Sequence, residues 1–158
     1  MSEECQGTSV ILVRDCYGIT ISSNVIAHNF SGGVDLRDAH GSTVSANTFT
    51  IVKKSALRIG PNSGRITVTG NNFSNSFLGD GSIRRQKNDE EAGGLVLEGT
   101  SDVTITGNVF SGLTTKAVTE LAPSERVVFS SNVLTEVESD HGQVSGVVAN
   151  NIVALESQ

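Results

Sequence analysis

The chain has 158 residues, a net charge of −6 and an isoelectric point near 4.9. An acidic chain lacks the basic face on which a duplex nucleic-acid binder depends, so we predict no nucleic-acid partner. Apolar residues make up 37% of the chain, which is too many for a disordered protein. The 17 glycines, beside abundant Ser, Thr, Asn and Val, favour β-structure with frequent turns. We expect one domain over residues 1–158.

The N-terminal segment shows no targeting signal. Its sequence, MSEECQGTSV, has neither the basic nor the apolar region of a signal peptide. No later stretch approaches about 18 consecutive apolar residues, so no membrane association is predicted. Cys5 and Cys16 lie outside any C-x-x-C motif. They are interpreted as two unrelated thiols, with a single bridge that pins the N-terminal segment as the alternative.

A short pattern recurs six times along the chain. In each copy an Asn follows a small residue, and apolar residues stand three positions before it and two positions after it. The copies are 19–26, 42–49, 66–73, 103–110, 127–134 and 145–152, and their asparagines are Asn24, Asn47, Asn71, Asn108, Asn132 and Asn150. The spacing of 37 residues between Asn71 and Asn108, against 18 to 24 elsewhere, indicates an insertion, which we place in the turn 74–93.

The pattern has a physical interpretation as a strand, a tight turn and a second strand. Alternating apolar positions point one side of each strand inward. Asn tolerates a left-handed backbone and bonds locally, so it suits the turn. If the copies stack about 4.8 Å apart, each strand pairs with its equivalents and the turn asparagines form a column of bonded amides. The asparagines are therefore predicted to be a structural ladder.

A further strand precedes each of the first five asparagines. These segments are 11–13, 34–36, 57–59, 95–97 and 119–121. Three short strands in a coil of about 23 residues is the period of a parallel β-helix. We predict an all-β solenoid, a single-stranded parallel β-helix of about six coils over residues 8–154, with little or no helix and a shortened last coil.

The sequence resembles the pectate-lyase-like superfamily of right-handed parallel β-helices. Val103-Thr-Ile-Thr-Gly-Asn108-Val-Phe110 and its five relatives carry the resemblance, which covers roughly residues 8–154. It implies a right-handed solenoid that is a fragment or relative of a larger β-helix protein, at the cell surface or outside the cell. The superfamily includes polysaccharide lyases, pectin-modifying hydrolases, alginate epimerases and phage tailspikes, so the resemblance is specific for fold rather than function.

By the same resemblance, the strands from 11–13 to 119–121 form the floor of a substrate groove. Since inward and outward residues alternate, two outward columns follow. The first is Leu12, Asp35, Arg58, Val96 and Glu120, and the second is Arg14, Arg37, Gly60, Glu98 and Ala122.

Polar residues are densest where 14–18, Arg-Asp-Cys-Tyr-Gly, is repeated as 37–41, Arg-Asp-Ala-His-Gly. The candidate catalytic residues are Asp35, Arg37, Asp38, His40 and Arg58. A polyuronate lyase needs positive charge to neutralise a carboxylate and a base to take the adjacent proton, which Arg37, Arg58 or His40 would supply. A glycosidase needs two suitably spaced carboxylates, such as Asp35 and Asp38. The alternative is ordinary surface ion pairing, in which each pair contributes about 0–1 kcal/mol.

Other polar residues are candidates for substrate binding rather than catalysis. They are Arg14, Tyr17, Glu98 and Glu120 on the strands, and Arg84, Arg85 and Lys87 in the insertion 74–93. A long loop is usually functional or disordered, and its mixed charges fit an acidic glycan or a merely solvated loop. His28 and His141 have no ligand partners at useful spacing, so we predict no metal site and no cofactor.

Three functions fit these observations. The first is a non-catalytic, carbohydrate-associated or structural β-helix. The second is a polysaccharide lyase or hydrolase that acts on an acidic glycan near Asp35, Arg37 and Arg58. The third is an oligomerising stalk that buries an outward apolar face, such as Leu12, Val96 and Val118, between subunits. A polysaccharide is the expected partner in the first two, and a second copy, through a solenoid face or end, in the third.

Overall fold

The computed structural model describes residues 9–27, 31–75, 91–138 and 144–154. These ranges contain strands and no helix, as predicted. In chain order the strands are β1 (Ser9–Tyr17), β2 (Thr20–Ser22), β3 (Val25–Ala27), β4 (Gly32–His40), β5 (Thr43–Ser45), β6 (Thr48–Thr50), β7 (Ser55–Ile59), β8 (Gly64–Thr69), β9 (Asn72–Ser74), β10 (Leu95–Glu98), β11 (Ser101–Thr106), β12 (Val109–Ser111), β13 (Val118–Ala122), β14 (Glu125–Ser130), β15 (Val133–Thr135), β16 (Gly146–Ala149) and β17 (Ile152–Ala154).

The strands stack as parallel neighbours on three faces of a solenoid. Face 1 holds β1, β4, β7, β10 and β13; face 2 holds β2, β5, β8, β11, β14 and β16; face 3 holds β3, β6, β9, β12, β15 and β17. The first five coils contribute one strand to each face, and the sixth contributes described strands to faces 2 and 3. Pairing of His40 with Gly64 joins faces 1 and 2 at their shared corner.

Inward side chains from the three faces fill a continuous core, as the alternation predicted. On face 3 the inward residue is aromatic in coils 2, 3 and 4, and Phe49, Phe73 and Phe110 lie one above the other. Ring centroids are 4.9 Å apart for Phe49–Phe73 and 4.8 Å for Phe73–Phe110, with interplanar angles of 2° and 5°. All three rings are buried. The parallel register therefore produces a column of stacked rings through the centre of the molecule.

The predicted Asn ladder is present in the turn between faces 2 and 3. The backbone N–H and Nδ2 of Asn71 both donate to Oδ1 of Asn108 at 3.0 Å, and Asn108 bonds Asn132 in the same way. Nδ2 also donates to a carbonyl of the preceding coil, such as Val44 O for Asn71. The chain is left-handed at the residue before each ladder Asn rather than at the Asn itself. These residues are Ser23, Ala46, Gly70, Gly107, Ser131 and Asn150, with φ between 55° and 67°.

The ladder prediction is wrong by one residue in the last coil, where Asn151 replaces Asn150. Asn132 donates to Asn151 Oδ1 through its backbone N–H at 2.9 Å and Nδ2 at 3.0 Å. Asn150 instead takes the left-handed position before the ladder residue, with φ 56°. The inward residues of this coil are therefore Val148 and Val153, which pair with Phe129 and Leu134.

The predicted register is also wrong on β13. The alternation predicted Glu120 beside Val96 in the outward column and Val118 on an outward apolar face. In the structure Thr119 pairs with Val96, and the register shifts between Leu97 and Glu98. Val118 is buried, so it belongs to the core.

A second ladder, built from hydroxyl groups, supports the corner between faces 1 and 2. Ser63 Oγ accepts a hydrogen bond from Ala39 N–H at 3.2 Å, and Ser124 Oγ accepts one from Thr100 N–H at 3.3 Å. Thr100 Oγ1 donates to Ser63 O at 2.6 Å. These buried hydroxyls satisfy backbone groups that the corner removes from the sheet.

Candidate functional site

The first three coils place polar side chains together on the outer surface of face 1. Parallel pairing sets Asp35 of β4 beside Leu12 of β1 and Arg58 of β7. One outward position along the strand, Arg37 pairs with Arg14. The predicted columns are thus correct over these coils, because β1, β4 and β7 keep one register through this stretch.

Asp35 is the centre of this arrangement and is 3% exposed. Its Oδ2 accepts hydrogen bonds from Arg37 Nε at 3.0 Å and Nη2 at 2.7 Å, and lies 3.9 Å from Arg58 Nη1. Arg58 Nη2 also bonds Glu98 of β10. The hydrogen bond to Asp35 raises the pKa of Arg37 above its ordinary value. We call Asp35, Arg37, Arg58 and Glu98 the arginine cluster.

A surface pocket of about 380 Å³ opens beside this cluster. Among the residues that line it are Leu12, Arg14, Asp35, Arg37, Lys54 and Arg58. The lining has four basic side chains and one acidic side chain, on a protein whose net charge is −6. We call it the basic pocket. Lys54 was missed from the sequence because it precedes β7 in a turn, where strand alternation says nothing about side-chain direction.

The two remaining candidate catalytic residues form a separate group at the corner where β4 ends. His40 Nε2 lies 2.9 Å from Asp38 Oδ1, and its ring stacks on Tyr17 with centroids 5.3 Å apart and planes 22° apart. The hydrogen bond with His40, followed by one with Asp15, lowers the pKa of Asp38. Asp38 has φ 50°, which turns the chain away from face 1. The five candidates therefore lie in two groups with different partners.

The remaining candidate residues fall into three sets. Some lie on this surface, Glu120 makes other contacts, and some lie outside the described residues. Arg14 lines the basic pocket and Glu98 contacts Arg58. Outside the described ranges lie Arg84, Arg85, Lys87, His28, His141 and Cys5. Cys16 is half-buried, and burial, followed by the charges of Asp15 and Asp38, raises its pKa. Within the described ranges, no three His, Cys, Asp or Glu side chains meet as a metal ion requires, and no helix is suited to crossing a membrane.

Glu120, predicted to bind substrate, connects coil 5 to coil 6 in the structure. Its Oε2 accepts hydrogen bonds from Ser145 N–H at 2.9 Å and Ser145 Oγ at 3.0 Å, while Oε1 accepts one from Ser124 N–H at 2.6 Å. Burial raises the pKa of Glu120, but the bonds from Ser145 and Ser124 outweigh burial and leave the pKa below its ordinary value. The ionised carboxylate therefore stabilises the start of the last coil.

We expect Glu120→Gln to loosen that coil. At pH 7 the amide protection factors of Gly146–Ala149 should fall several-fold in hydrogen exchange, because Gln offers a weaker single acceptor. Since the folded-state pKa lies below the unfolded one, the wild-type contribution is complete above the ordinary Glu pKa of about 4.3. It is lost as the pH falls through the lowered value. The variant should lack this acid dependence. Glu125→Gln, at an exposed glutamate bound to Arg126, is the matched control; equal effects from both would refute a specific role for Glu120.

Comparison with known proteins agrees with this architecture. A search of curated proteins finds no match. The sequence profile described as a right handed β-helix region matches residues 3–154, which is nearly the whole chain. The parallel strands stacked coil on coil are consistent with this description. The chain belongs to the right-handed β-helix family.

Proposed function

We propose that the protein is a non-catalytic carbohydrate-binding β-helix that holds an acidic polysaccharide in the basic pocket. The observation that carries the proposal is the set of four basic side chains gathered around one buried carboxylate in an acidic chain. Asp35 and Glu98, which pair with Arg37 and Arg58, neutralise part of this charge. Arg14 and Lys54, both exposed, add charge at the rim. Guanidinium groups match carboxylate geometry and bind it through paired hydrogen bonds, as recognition of a uronate requires.

Two buried atoms of the arginine cluster favour a ligand rich in hydroxyl groups. Among the described residues, Asp35 Oδ1 and Arg58 Nε have no hydrogen-bond partner. Buried polar groups without partners are destabilising and are uncommon. A sugar hydroxyl both donates and accepts, so hydroxyls that reach these atoms when the side chains move would donate to Asp35 Oδ1 and accept from Arg58 Nε–H.

Cleavage of the same glycan by a lyase or hydrolase is the alternative. A lyase needs a base that its substrate can reach, whereas Asp35 is only 3% exposed and is held by two hydrogen bonds from Arg37. A hydrolase needs two carboxylates on either side of one bond, whereas Asp35 pairs with Arg37 and Asp38 pairs with His40. These contacts favour binding without turnover.

Affinity electrophoresis through gels that contain polygalacturonate tests the proposal. We expect retardation of the wild-type protein in this gel and none in a gel of the fully methyl-esterified polymer, which has the same backbone without charge. Arg14→Ala should weaken binding about fivefold, since a rim charge contributes about 1 kcal/mol. Added salt should weaken binding further, because exposed charges are screened.

Arg126→Ala is the matched control. It removes the same charge from a residue that lies on β14 and bonds Asp102 rather than lining the pocket. No retardation of the wild type, or equal losses in the two variants, would overturn the proposed site. Incubating the protein with the polymer and recording absorbance of unsaturated products and reducing ends tests cleavage directly. Product that disappears in Arg58→Ala would favour the lyase or hydrolase over the binder.

A further inference from the structure

The Asn ladder has a direction, because in the bonds between asparagines each one donates to the Asn of the next coil and accepts from the Asn of the previous coil. Asn24 donates through its backbone N–H and Nδ2 to Oδ1 of Asn47, at 3.1 and 3.0 Å. The same pair of bonds links every later rung and ends when Asn132 donates to Asn151. One end of the ladder therefore differs chemically from the other.

The two ends are complementary. Among the described residues, Oδ1 of Asn24 accepts no hydrogen bond and the backbone N–H of Asn151 donates none. The first rung thus presents an acceptor, and the last rung presents a donor. A second ladder of the same kind fits only head to tail, with its Asn24 following Asn151.

Within the described chain, the strands beside these rungs carry none of the protection that is usual for edge strands. Edge strands are commonly blunted by charged residues, proline or a bulge. β2 and β3 at one end, and the residues 144–154 at the other, contain no charged residue and no proline. Within the described chain, no strand pairs with the outer edges of β2, β3, β16 or β17.

The last coil also leaves its inward side chains open. Val148 and Val153 are 47% and 38% exposed, although their equivalents in the preceding coil, Phe129 and Leu134, are fully buried. Burying the exposed parts of these two aliphatic side chains stabilises an association, because apolar surface is removed from water. A further coil placed on this end would gain that burial together with two parallel strand pairings.

We propose that these ends associate, so that a second copy of the chain stacks its first coil on the last coil of the first. The register follows from the columns already present: β2 continues β16 on face 2, and β3 continues β17 on face 3. Val148 then lies over Ile21, Val153 lies over Ile26, and Asn151 donates to Asn24 of the second copy. Ile21 and Ile26 are 7% and 4% exposed in the single chain, so the burial gained is mainly that of the last coil. The register is given for faces 2 and 3, to which the described strands of the sixth coil belong.

Such a contact joins two different surfaces of the same chain and does not close on itself. Contacts of this type generate open rods rather than rings or dimers. Light scattering coupled to size-exclusion chromatography should therefore show a mass that rises continuously with protein concentration. Electron micrographs should show rods one solenoid wide. A wild-type protein that stays monomeric at every concentration would overturn the proposal.

Val153→Lys places a charge in the open end and should leave the protein monomeric. Val109→Lys is the matched control, because Val109 is 39% exposed on the outer surface of face 3 in the middle of the solenoid. It should assemble like the wild type. The reverse result, with assembly lost only in Val109→Lys, would indicate lateral association, as in a stalk, and would refute end-to-end stacking.

A mixing experiment separates loss of contact from loss of folding. The Val153→Lys chain keeps an intact first coil, so it should add to the last coil of a wild-type rod and stop further growth. Small amounts added to wild-type protein should then shorten the rods. If the folded variant had no effect on rod length, the two ends would not be each other's partners and the proposal would fail.

Discussion

Replacing Asn108 by alanine should lower the free energy of unfolding by about 3–5 kcal/mol, one of the two largest effects expected from a single substitution in this protein. The side chain is 1% exposed and bonds both neighbouring coils. Its Nδ2 donates to Asn132 Oδ1 and to Val68 O, at 3.1 Å each, while its Oδ1 accepts two bonds from Asn71. Alanine leaves these groups buried without partners, where each costs about 1–3 kcal/mol.

Urea denaturation of the variant and the wild type measures this change. Asn24→Ala is the control for position, because Asn24 is exposed and occupies the first rung, with a rung on one side only. We expect its loss to be about 1 kcal/mol or less. Similar losses at both positions would contradict the view that burial makes the middle rungs important.

Separate substitutions of Asn150 and Asn151 distinguish the ladder residue of the last coil from the turn residue. Asn151→Ala removes an acceptor of two hydrogen bonds from Asn132, so it should destabilise the protein. Asn150→Ala should have a smaller effect, since Ala46 already occupies the equivalent left-handed position with φ 55°. A larger loss of stability in Asn150→Ala than in Asn151→Ala would indicate that Asn150 is the ladder residue.

The sequence was sufficient to predict the fold because the repeated pattern specifies where the chain turns and which residues point inward. An Asn with apolar residues at fixed distances before and after it defines a turn and two inward positions, and five copies agree with the structure. The sixth was placed one residue early because Asn150 and Asn151 are adjacent and either fits a turn. Only the hydrogen bonds from Asn132, which come from the neighbouring coil, distinguish them.

The candidate site was less predictable, because it depends on backbone details that composition does not encode. Strand alternation placed Asp35, Arg37 and Arg58 together correctly. It could not show that Asp38 adopts φ 50° and turns His40 onto another corner, since Asp tolerates both extended and left-handed backbone. Nor could it show the register shift that makes Glu120 a structural residue.

The column of aromatic rings gives the other large effect. Phe73→Ala should lower the free energy of unfolding by about 3–5 kcal/mol, because a cavity would replace a ring that is fully buried between two others. Phe73→Leu should lower the free energy of unfolding by only about 1–2 kcal/mol. Aliphatic residues already occupy the same inward position in other coils, as Ile26 and Leu134. Asn72→Ala, at the exposed neighbour on β9, should have little effect.

The loss of amide protection caused by Phe73→Ala should be largest in the coils nearest the substituted residue. In a solenoid each coil contacts only its neighbours, so stability is roughly a sum over coils and their interfaces. Phe73 stacks on Phe49 and Phe110, and the amides of coils 2, 3 and 4 should therefore lose the most protection in hydrogen exchange. Coil 6 lies away from these rings, so its amide protection should fall least. A uniform loss through all six coils would mean that the molecule unfolds as a single unit, and that the ring column stabilises the whole rather than its own coils.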